Sequence, residues 1–146
     1  MTSRYTAQIK RIEAIVGSND NSTFEDSITR YFSVLSEALQ LPCVVTGIED
    51  FQWEEYYILG PGNLNEYRTR KRSQPSFQDT FQLHAIEAGH YSEWMMFPGE
   101  DIAGHVCRIA DSRKFTLGLS ELKTQGTNSP NHQLLDDYSV FFYNYR

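Results

Sequence analysis

The chain has 146 residues, of which 40% are hydrophobic and 14% aromatic, enough for one domain with an aromatic-rich core. Its 19 acidic and 13 basic side chains give a formal net charge of −6, which disfavours non-specific attraction to nucleic acid or anionic lipid. No run of residues reaches the roughly 18 apolar positions of a membrane span, and charges interrupt the N-terminal segment where a signal peptide needs an apolar core. We therefore expect a cytoplasmic protein with neither nucleic acid nor a membrane as its partner.

The N-terminal segment is predicted to begin with a short amphipathic helix. Apolar residues recur at helical spacing over residues 3–16, and Gly17 follows them as a helix end. Residues 18–23 are polar and are predicted to connect this helix to the next one.

A second helix is predicted over residues 23–40. Its apolar positions follow the i, i+3, i+4, i+7 pattern of a helix with one buried face. Ser22 stands three residues before Glu25, the spacing of a capping box, and Pro42 follows where a proline commonly ends a helix.

Two β-rich runs come next, at residues 43–48 and 53–59, and both are predicted strands. An acidic turn, residues 49–52, lies between them, and a Gly-Pro-Gly sequence ends the second run. Residues 63–78 are polar and are predicted to form a long exposed loop or an edge strand.

The remaining strands are predicted from alternating apolar and polar residues. Residues 79–87 form one strand, and residues 102–109 and 114–119 form a hairpin around the polar turn 110–113. The segment after Leu122 is predicted to be a loop.

A closing helix is predicted over about residues 130–145. Ser129 is suited to its N-cap and Pro130 to its first position. Apolar and aromatic residues recur along the helix and give it a side that packs against the core.

The order of elements predicts an α+β protein of one domain over residues 1–146. Helices occupy about residues 3–40, a β core occupies about 42–119, and the last helix closes the chain at about 130–145. The core is expected to be a small antiparallel sheet or an SH3-like, partly closed barrel of about five strands.

Calcium is the first chemistry that the sequence suggests, because carboxylates occur in pairs at predicted strand ends. The ion takes six to eight oxygen ligands, usually with several carboxylates converging. Turns of a small sheet can bring such pairs together, whereas the alternative is that each pair is a solvated part of the surface. The predicted metal ligands are Glu49, Asp50, Glu54, Glu55, Glu100 and Asp101.

Sites built on cysteine and histidine are less well supported. His105 and Cys107, with Cys43, lack the Cys-x-x-Cys or His-x-x-x-His spacing of a structural zinc site. A Cys-His nucleophilic pair lacks a nucleophile elbow or a glycine-rich oxyanion loop. We therefore expect no enzyme, and two buried thiols, although sequence alone leaves a disulfide open.

A basic run in the middle of the chain is a second candidate site. Arg68, Arg70, Lys71 and Arg72 are four of the 13 basic residues and are predicted to bind a partner. The alternative is a mobile charged loop.

Three segments in this order resemble a known family: ITRYFSVLSEALQLPCVV, KFTLGLSELK and HQLLDDYSVFFYNY. The arrangement is similar to the small bacterial calcium-binding proteins typified by the cyanobacterial calcium-buffering protein, over roughly residues 28–145. The resemblance implies a compact, barrel-like sheet with helices, and calcium held by surface carboxylates. No ligand motif of the family matches residue by residue, so the ligands named above come from local chemistry.

The leading hypothesis is a non-enzymatic cytoplasmic binding protein that binds or buffers calcium. The alternative is a small-barrel interaction module that docks a protein partner or a second copy of itself through aromatic or basic surface. An enzyme with a Cys-His site is the third reading.

Overall fold

The computed structural model describes residues 4–17 and 22–146, which form five helices and one five-stranded sheet. The helices are α1 (Arg4–Val16), α2 (Phe24–Ala38), α3 (Glu55–Ile58), α4 (Leu64–Arg70) and α5 (Pro130–Tyr145). The strands are β1 (Cys43–Gly47), β2 (Thr80–Glu87), β3 (Ala103–Arg108), β4 (Lys114–Gly118) and β5 (Leu122–Thr124). Single 3₁₀ turns cover Gln52–Glu54 and Leu119–Glu121.

The sheet is antiparallel throughout, with the strand order β4-β3-β2-β1-β5. Its two edge strands, β4 and β5, do not pair with each other, so the sheet is not closed. The α+β prediction is confirmed in its open-sheet form rather than as a barrel. Among the described residues, no helix is long and apolar enough to cross a membrane.

Most of the predicted elements are confirmed within one or two residues. These are the first two helices, the strands at β1 and β2, the β3–β4 hairpin and the last helix. Ser129 caps α5 by accepting a hydrogen bond from the His132 N–H, with Pro130 at the first helical position. The predicted start of the first helix at Ser3, and most of the polar connector, residues 18–21, lie outside the described residues.

The predicted capping box at Ser22 and Glu25 is wrong by one residue. Thr23 is the N-cap of α2: its side chain accepts from the Asp26 N–H, and the Asp26 carboxylate accepts from the Thr23 N–H. Both registers have the required chemistry, and the helix begins where the apolar stripe faces the core.

The strand predicted over residues 53–59 is also wrong, because this segment forms a 3₁₀ turn followed by α3. The aromatic content favoured a strand, yet Trp53 and Tyr57 are four residues apart and meet edge-on on one helical face, with ring centroids 6.1 Å apart. Tyr57 also stacks on Tyr67 of α4 at 5.3 Å. Tertiary packing of aromatic rings therefore overrides strand propensity here.

Residues 63–78 were predicted as a loop or edge strand and instead include the helix α4. Asn63 caps it by accepting from the N–H groups of Asn65 and Glu66, and Glu66 pairs with Arg70 one turn later at 3.1 Å. An N-cap Asn three residues before a Glu is a sequence signal for a helix start. The loop predicted after Leu122 begins with the three-residue edge strand β5, which pairs with β1.

The core lies between one face of the sheet and helices α1, α2 and α5. Strand residues that alternate along the chain supply the sheet side of this core, and aromatic residues supply much of the helix side. Tyr31 of α2 packs between Tyr138 and Phe141 of α5, with ring centroids at 5.3 and 4.9 Å. A bidentate ion pair between the Arg11 guanidinium and the Asp137 carboxylate connects α1 to α5. The opposite face of the sheet carries polar and partly exposed side chains.

Candidate metal site in an acidic cavity

Three of the predicted carboxylates line one cavity between the end of β1, the second 3₁₀ turn and α5. Glu49 and Asp50 lie in the segment after β1, and Glu55 begins α3. The cavity has a volume of about 280 Å³, and its lining contains no basic side chain. Its lining residues are Ile48, Glu49, Asp50, Glu55, Met96, Ser120, Glu121, Ser139 and Tyr143.

A fourth carboxylate in the cavity, Glu121, was missed by sequence reasoning. It ends the 3₁₀ turn Leu119–Glu121 and is 8% exposed. Burial raises its pKa to about 7, while a hydrogen bond from the Met96 N–H opposes the rise. The sequence signal was a single acidic residue between the apolar positions Leu119 and Leu122, which indicates a carboxylate drawn inward.

Asp101, a predicted ligand, is buried behind this cavity rather than in its lining. Its carboxylate accepts hydrogen bonds from the Ser120 hydroxyl at 2.6 Å and the Tyr138 hydroxyl at 2.7 Å. Burial raises its pKa to about 6, although these hydrogen bonds favour the charged form. A β-carbon placed on Gly118 would lie 2.5 Å from an oxygen of both Asp101 and Glu121, so the two carboxylates approach each other across this glycine.

Glu54 and Glu100, the other two predicted ligands, have protein partners instead. Both oxygens of Glu54 are buried and accept hydrogen bonds from the N–H groups of Phe51 and Phe77 and from the Tyr67 hydroxyl. This carboxylate thereby joins the 3₁₀ turn to α4 and to the segment before β2. Glu100 is exposed and pairs with Arg146.

The cavity carboxylates are not gathered into a tight cluster in this structure. Among the described residues, a group of three potential ligand side chains with donor atoms within 4.8 Å occurs elsewhere, at Glu87, His90 and His105. None of the four cavity carboxylates forms an ion pair with a described residue. In the described part of the chain, no cationic side chain therefore pairs with these carboxylates.

The predicted partner-binding residues lie on α4 and just after it. Arg70 pairs with Glu66, and the Lys71 ammonium lies 4.9 Å from the ring centroid of Tyr67. Arg68 and Arg72 are exposed and form no ion pair within the described part of the chain. Two of the four basic side chains, Arg70 and Lys71, therefore contact nearby residues, whereas the other two, Arg68 and Arg72, are exposed.

The two cysteines are free thiols that do not approach each other. Cys43 pairs with Leu83, whereas Cys107 pairs with Gln82, the preceding residue of β2, so the thiols point to opposite faces of the sheet. Burial raises the pKa of Cys43, opposite to the shift that activates a nucleophile. In the described residues no cysteine is hydrogen-bonded to a histidine.

The fold of this chain is similar to that of proteins with solved structures, whereas its sequence matches little that is known. No family model matches the chain, and no curated protein matches its sequence. One solved structure that it resembles is a calcium binding protein in the calcium-binding form, with 13% sequence identity and a TM-score of 0.58. Another is Anabaena CcbP, with 14% identity and a TM-score of 0.59. Each alignment covers 96% of this chain and 92% of the other chain.

The resemblance to small calcium-binding proteins that the sequence suggested is confirmed as a likeness of fold. It extends over nearly the whole chain, whereas the sequence patterns covered only residues 28–145. At this level of identity, the likeness does not transfer individual ligands.

Proposed function

We propose that this chain is a non-enzymatic calcium-binding protein whose ion lies in the acidic cavity. The observation that carries the proposal is that four carboxylates without basic neighbours line one small cavity. The fold's likeness to a calcium-binding protein supports it. Glu49, Asp50, Glu55 and Glu121 supply carboxylate oxygens, with water completing the coordination.

The chemistry of the cavity lining favours calcium over softer metals. Apart from the Met96 thioether, its potential ligand atoms are oxygens, since the serine and tyrosine hydroxyls accompany the carboxylates. Calcium accepts such ligands in flexible geometry, whereas magnesium requires a near-ideal octahedron and keeps its waters. Two of the ligands come from an irregular segment after β1, which suits an adaptable, reversible site and hence calcium buffering in the cytoplasm.

Calorimetric titration of metal-stripped protein with calcium, with magnesium for comparison, tests this proposal. We expect saturable, calcium-selective binding that weakens at least about tenfold in Asp50→Asn and in Glu121→Gln, because affinity follows the number of charged ligands. Glu37→Gln removes one exposed carboxylate of α2, outside the cavity, and is the matched control. Absence of binding at millimolar calcium, or equal losses in Glu37→Gln, would refute the proposal.

A second candidate function, self-association, is favoured by the exposed surface of α3 and α4. Leu59 and Leu64 are 78% and 58% exposed, and Arg68 and Arg72 lie nearby in the chain. Exposed acidic side chains of a second copy of this chain, such as Glu25 and Glu37, offer charges complementary to these arginines. We expect a concentration-dependent dimer in sedimentation velocity that Arg68→Glu with Arg72→Glu abolishes, and a monomer at all concentrations would rule this function out.

A further inference from the structure

A compact cluster of metal-binding side chains lies on the polar face of the sheet, apart from the acidic cavity. One oxygen of Glu87 lies 3.0 Å from His90 Nδ1, and the other lies 3.0 Å from His105 Nε2. The two imidazole rings meet nearly edge-on, with centroids 5.2 Å apart. One donor atom from each of the three side chains lies within 4.8 Å of the others.

The backbone fixes these three residues relative to one another. The β2–β3 register shifts between Leu83 and Ala85, after which Ala85 pairs with His105 and Glu87 with Ala103. Glu87 and His105 are therefore diagonal neighbours on one face of the sheet. The chain then turns at Gly89, whose φ of +70° suits glycine, and this turn brings His90 back toward Glu87. The His90 carbonyl accepts a hydrogen bond from the Gly99 N–H, which holds the turn in place.

A further hydrogen bond orients the ring of His105 for metal binding. Its Nδ1 lies 2.9 Å from the Thr116 hydroxyl on β4, the strand next to it. When Nδ1–H donates to this hydroxyl, Nε2 keeps its lone pair and points toward Glu87 and His90. Metal-binding histidines are commonly held by such a bond at the nitrogen that faces away from the ion.

We propose that Glu87, His90 and His105 bind a divalent transition metal ion of the zinc type. Two imidazole nitrogens and one carboxylate oxygen form a three-ligand set that suits zinc and leaves a fourth position for water. The same set suits calcium poorly, because calcium takes oxygen ligands. The ion would lie between the Glu87 carboxylate and the two imidazole nitrogens, each of which lies 3.0 Å from one oxygen of that carboxylate.

This site is independent of the calcium proposal. It shares no residue with the lining of the acidic cavity. The three side chains are one-third to one-half exposed, so an ion reaches them directly from solvent. His105 also lines an adjoining cavity of about 590 Å³, which leaves room beside its ring.

Competition titration of metal-free protein with zinc against a chromophoric chelator tests the proposal, with cobalt as a spectroscopic probe. We expect one zinc ion per chain, and visible cobalt absorption of a low-coordinate site with nitrogen ligands. His90→Ala and His105→Gln should each weaken zinc binding by at least about tenfold and abolish the cobalt spectrum, since each removes a ligand. Thr116→Val should weaken zinc binding by about tenfold, as removal of an orienting partner does.

Two control variants separate this site from other zinc ligands on the same face. His84→Gln removes an exposed histidine of β2, and Cys107→Ser removes the nearby thiol of β3; neither belongs to the cluster, and both should bind zinc as the parent does. Unchanged zinc binding in His90→Ala and His105→Gln would overturn the proposal. It would also be overturned by loss of binding in Cys107→Ser, or by no saturable binding at micromolar zinc. Glu121→Gln should weaken calcium binding but leave zinc binding intact, so the two proposals are tested separately.

Discussion

Asp101 and Glu121 are two acidic side chains that folding removes from water without a basic partner. Burial raises the pKa of Asp101 to about 6 and that of Glu121 to about 7. At a pH between about 4 and these values, the folded protein therefore holds protons that the unfolded chain has released. Such groups stabilise the fold at low pH, and this stability is lost as the pH rises through the folded-state pKa. The direction is opposite to that of Asp111, whose pKa the Arg108 hydrogen bonds lower to about 2.

We therefore expect Glu121→Gln, in metal-free protein, to be less sensitive to rising pH than the parent. The variant cannot ionise, so at pH 8 its free energy of unfolding should exceed that of the parent by on the order of 2 kcal/mol. The excess should be smaller at pH 5 and vanish below about pH 4, where the parent's carboxyl is protonated in both states. Urea unfolding at pH 5 and pH 8 measures this difference, and an equal change in both proteins would contradict it.

Gly118 is required by the space between these two carboxylates. A methyl group there would meet an oxygen of Asp101 and an oxygen of Glu121, each 2.5 Å away. Since the Ser120 hydroxyl and Tyr138 fix Asp101 in place, Gly118→Ala should destabilise the protein by about 2 kcal/mol.

Thermal and urea unfolding measure this cost, with Gly126→Ala as the control. Nothing lies within 4 Å of a β-carbon at Gly126, so that substitution should change stability by no more than about 0.5 kcal/mol. Equal effects of the two substitutions would show that the crowding at Gly118 is relieved by movement of the carboxylates.

At the scale of elements, one buried arginine holds together three segments. Arg108 of β3 is 3% exposed, forms ion pairs with Asp79 at 2.9 Å and Asp111 at 2.7 Å, and donates to the carbonyls of Lys71, Arg72 and Gln74. The segment after α4 is thus attached to the sheet by carbonyl groups rather than by its basic side chains.

We expect Arg108→Lys to destabilise the protein by about 3 kcal/mol, although it keeps the charge. A lysine ammonium cannot reproduce the planar fork that serves two carboxylates and three carbonyls. The segment released should also be cut faster by trypsin after Lys71 and Arg72, which mass spectrometry detects. Arg113→Lys changes an exposed arginine that pairs with the same Asp111 and should leave both measurements unchanged.

Sequence patterns predicted the elements whose burial is one-sided and missed those held by specific side chains. The apolar stripe of α2 and the alternation in β2 follow directly from facing a single core. By contrast, α3 depends on Glu54 bonding to Phe51 and Phe77 and on rings that meet Tyr67. Such contacts link distant positions, so no local pattern contains them.

The acidic cavity likewise combines residues that local sequence patterns predicted with a residue that only long-range contacts place there. Glu49, Asp50 and Glu55 were predicted as ligands because they stand in acidic pairs at predicted strand ends, and they line one cavity. Glu121 comes from a different part of the chain, and only the pairing of β1 with β5 brings it to that segment. For Glu54 and Asp101, residue type alone could not predict the role of the side chain. The oxygens of both carboxylates accept hydrogen bonds from buried protein groups.

At the scale of the whole molecule, two metal sites are proposed in one chain, and ligand chemistry distinguishes them. The acidic cavity offers mainly oxygen ligands, four of its lining side chains being carboxylates, while the cluster on the polar face offers two nitrogens and one oxygen. The likeness to other proteins at 13–14% identity concerns backbone shape. Each site therefore has to be tested on this chain's own residues.

Calcium should stabilise the whole chain if it binds only the folded state. At a calcium concentration 100 times the Kd, the free energy of unfolding should rise by about 2.7 kcal/mol. Differential scanning calorimetry measures the accompanying rise in Tm. In Asp50→Asn with Glu121→Gln, the same calcium concentration should leave Tm nearly unchanged, and an equal rise there would place the ion elsewhere.

The Ile48 N–H donates to the Glu121 carbonyl at 2.9 Å and so closes the cavity between distant parts of the chain. A nascent polypeptide therefore has no complete cavity until Glu121 has emerged and β5 has joined the sheet. An ion that needs both parts cannot act as a template early in folding. Its effect falls on the rate of unfolding, which it slows, while the rate of folding stays nearly constant. Calcium would then lengthen the lifetime of the finished protein rather than assist its assembly.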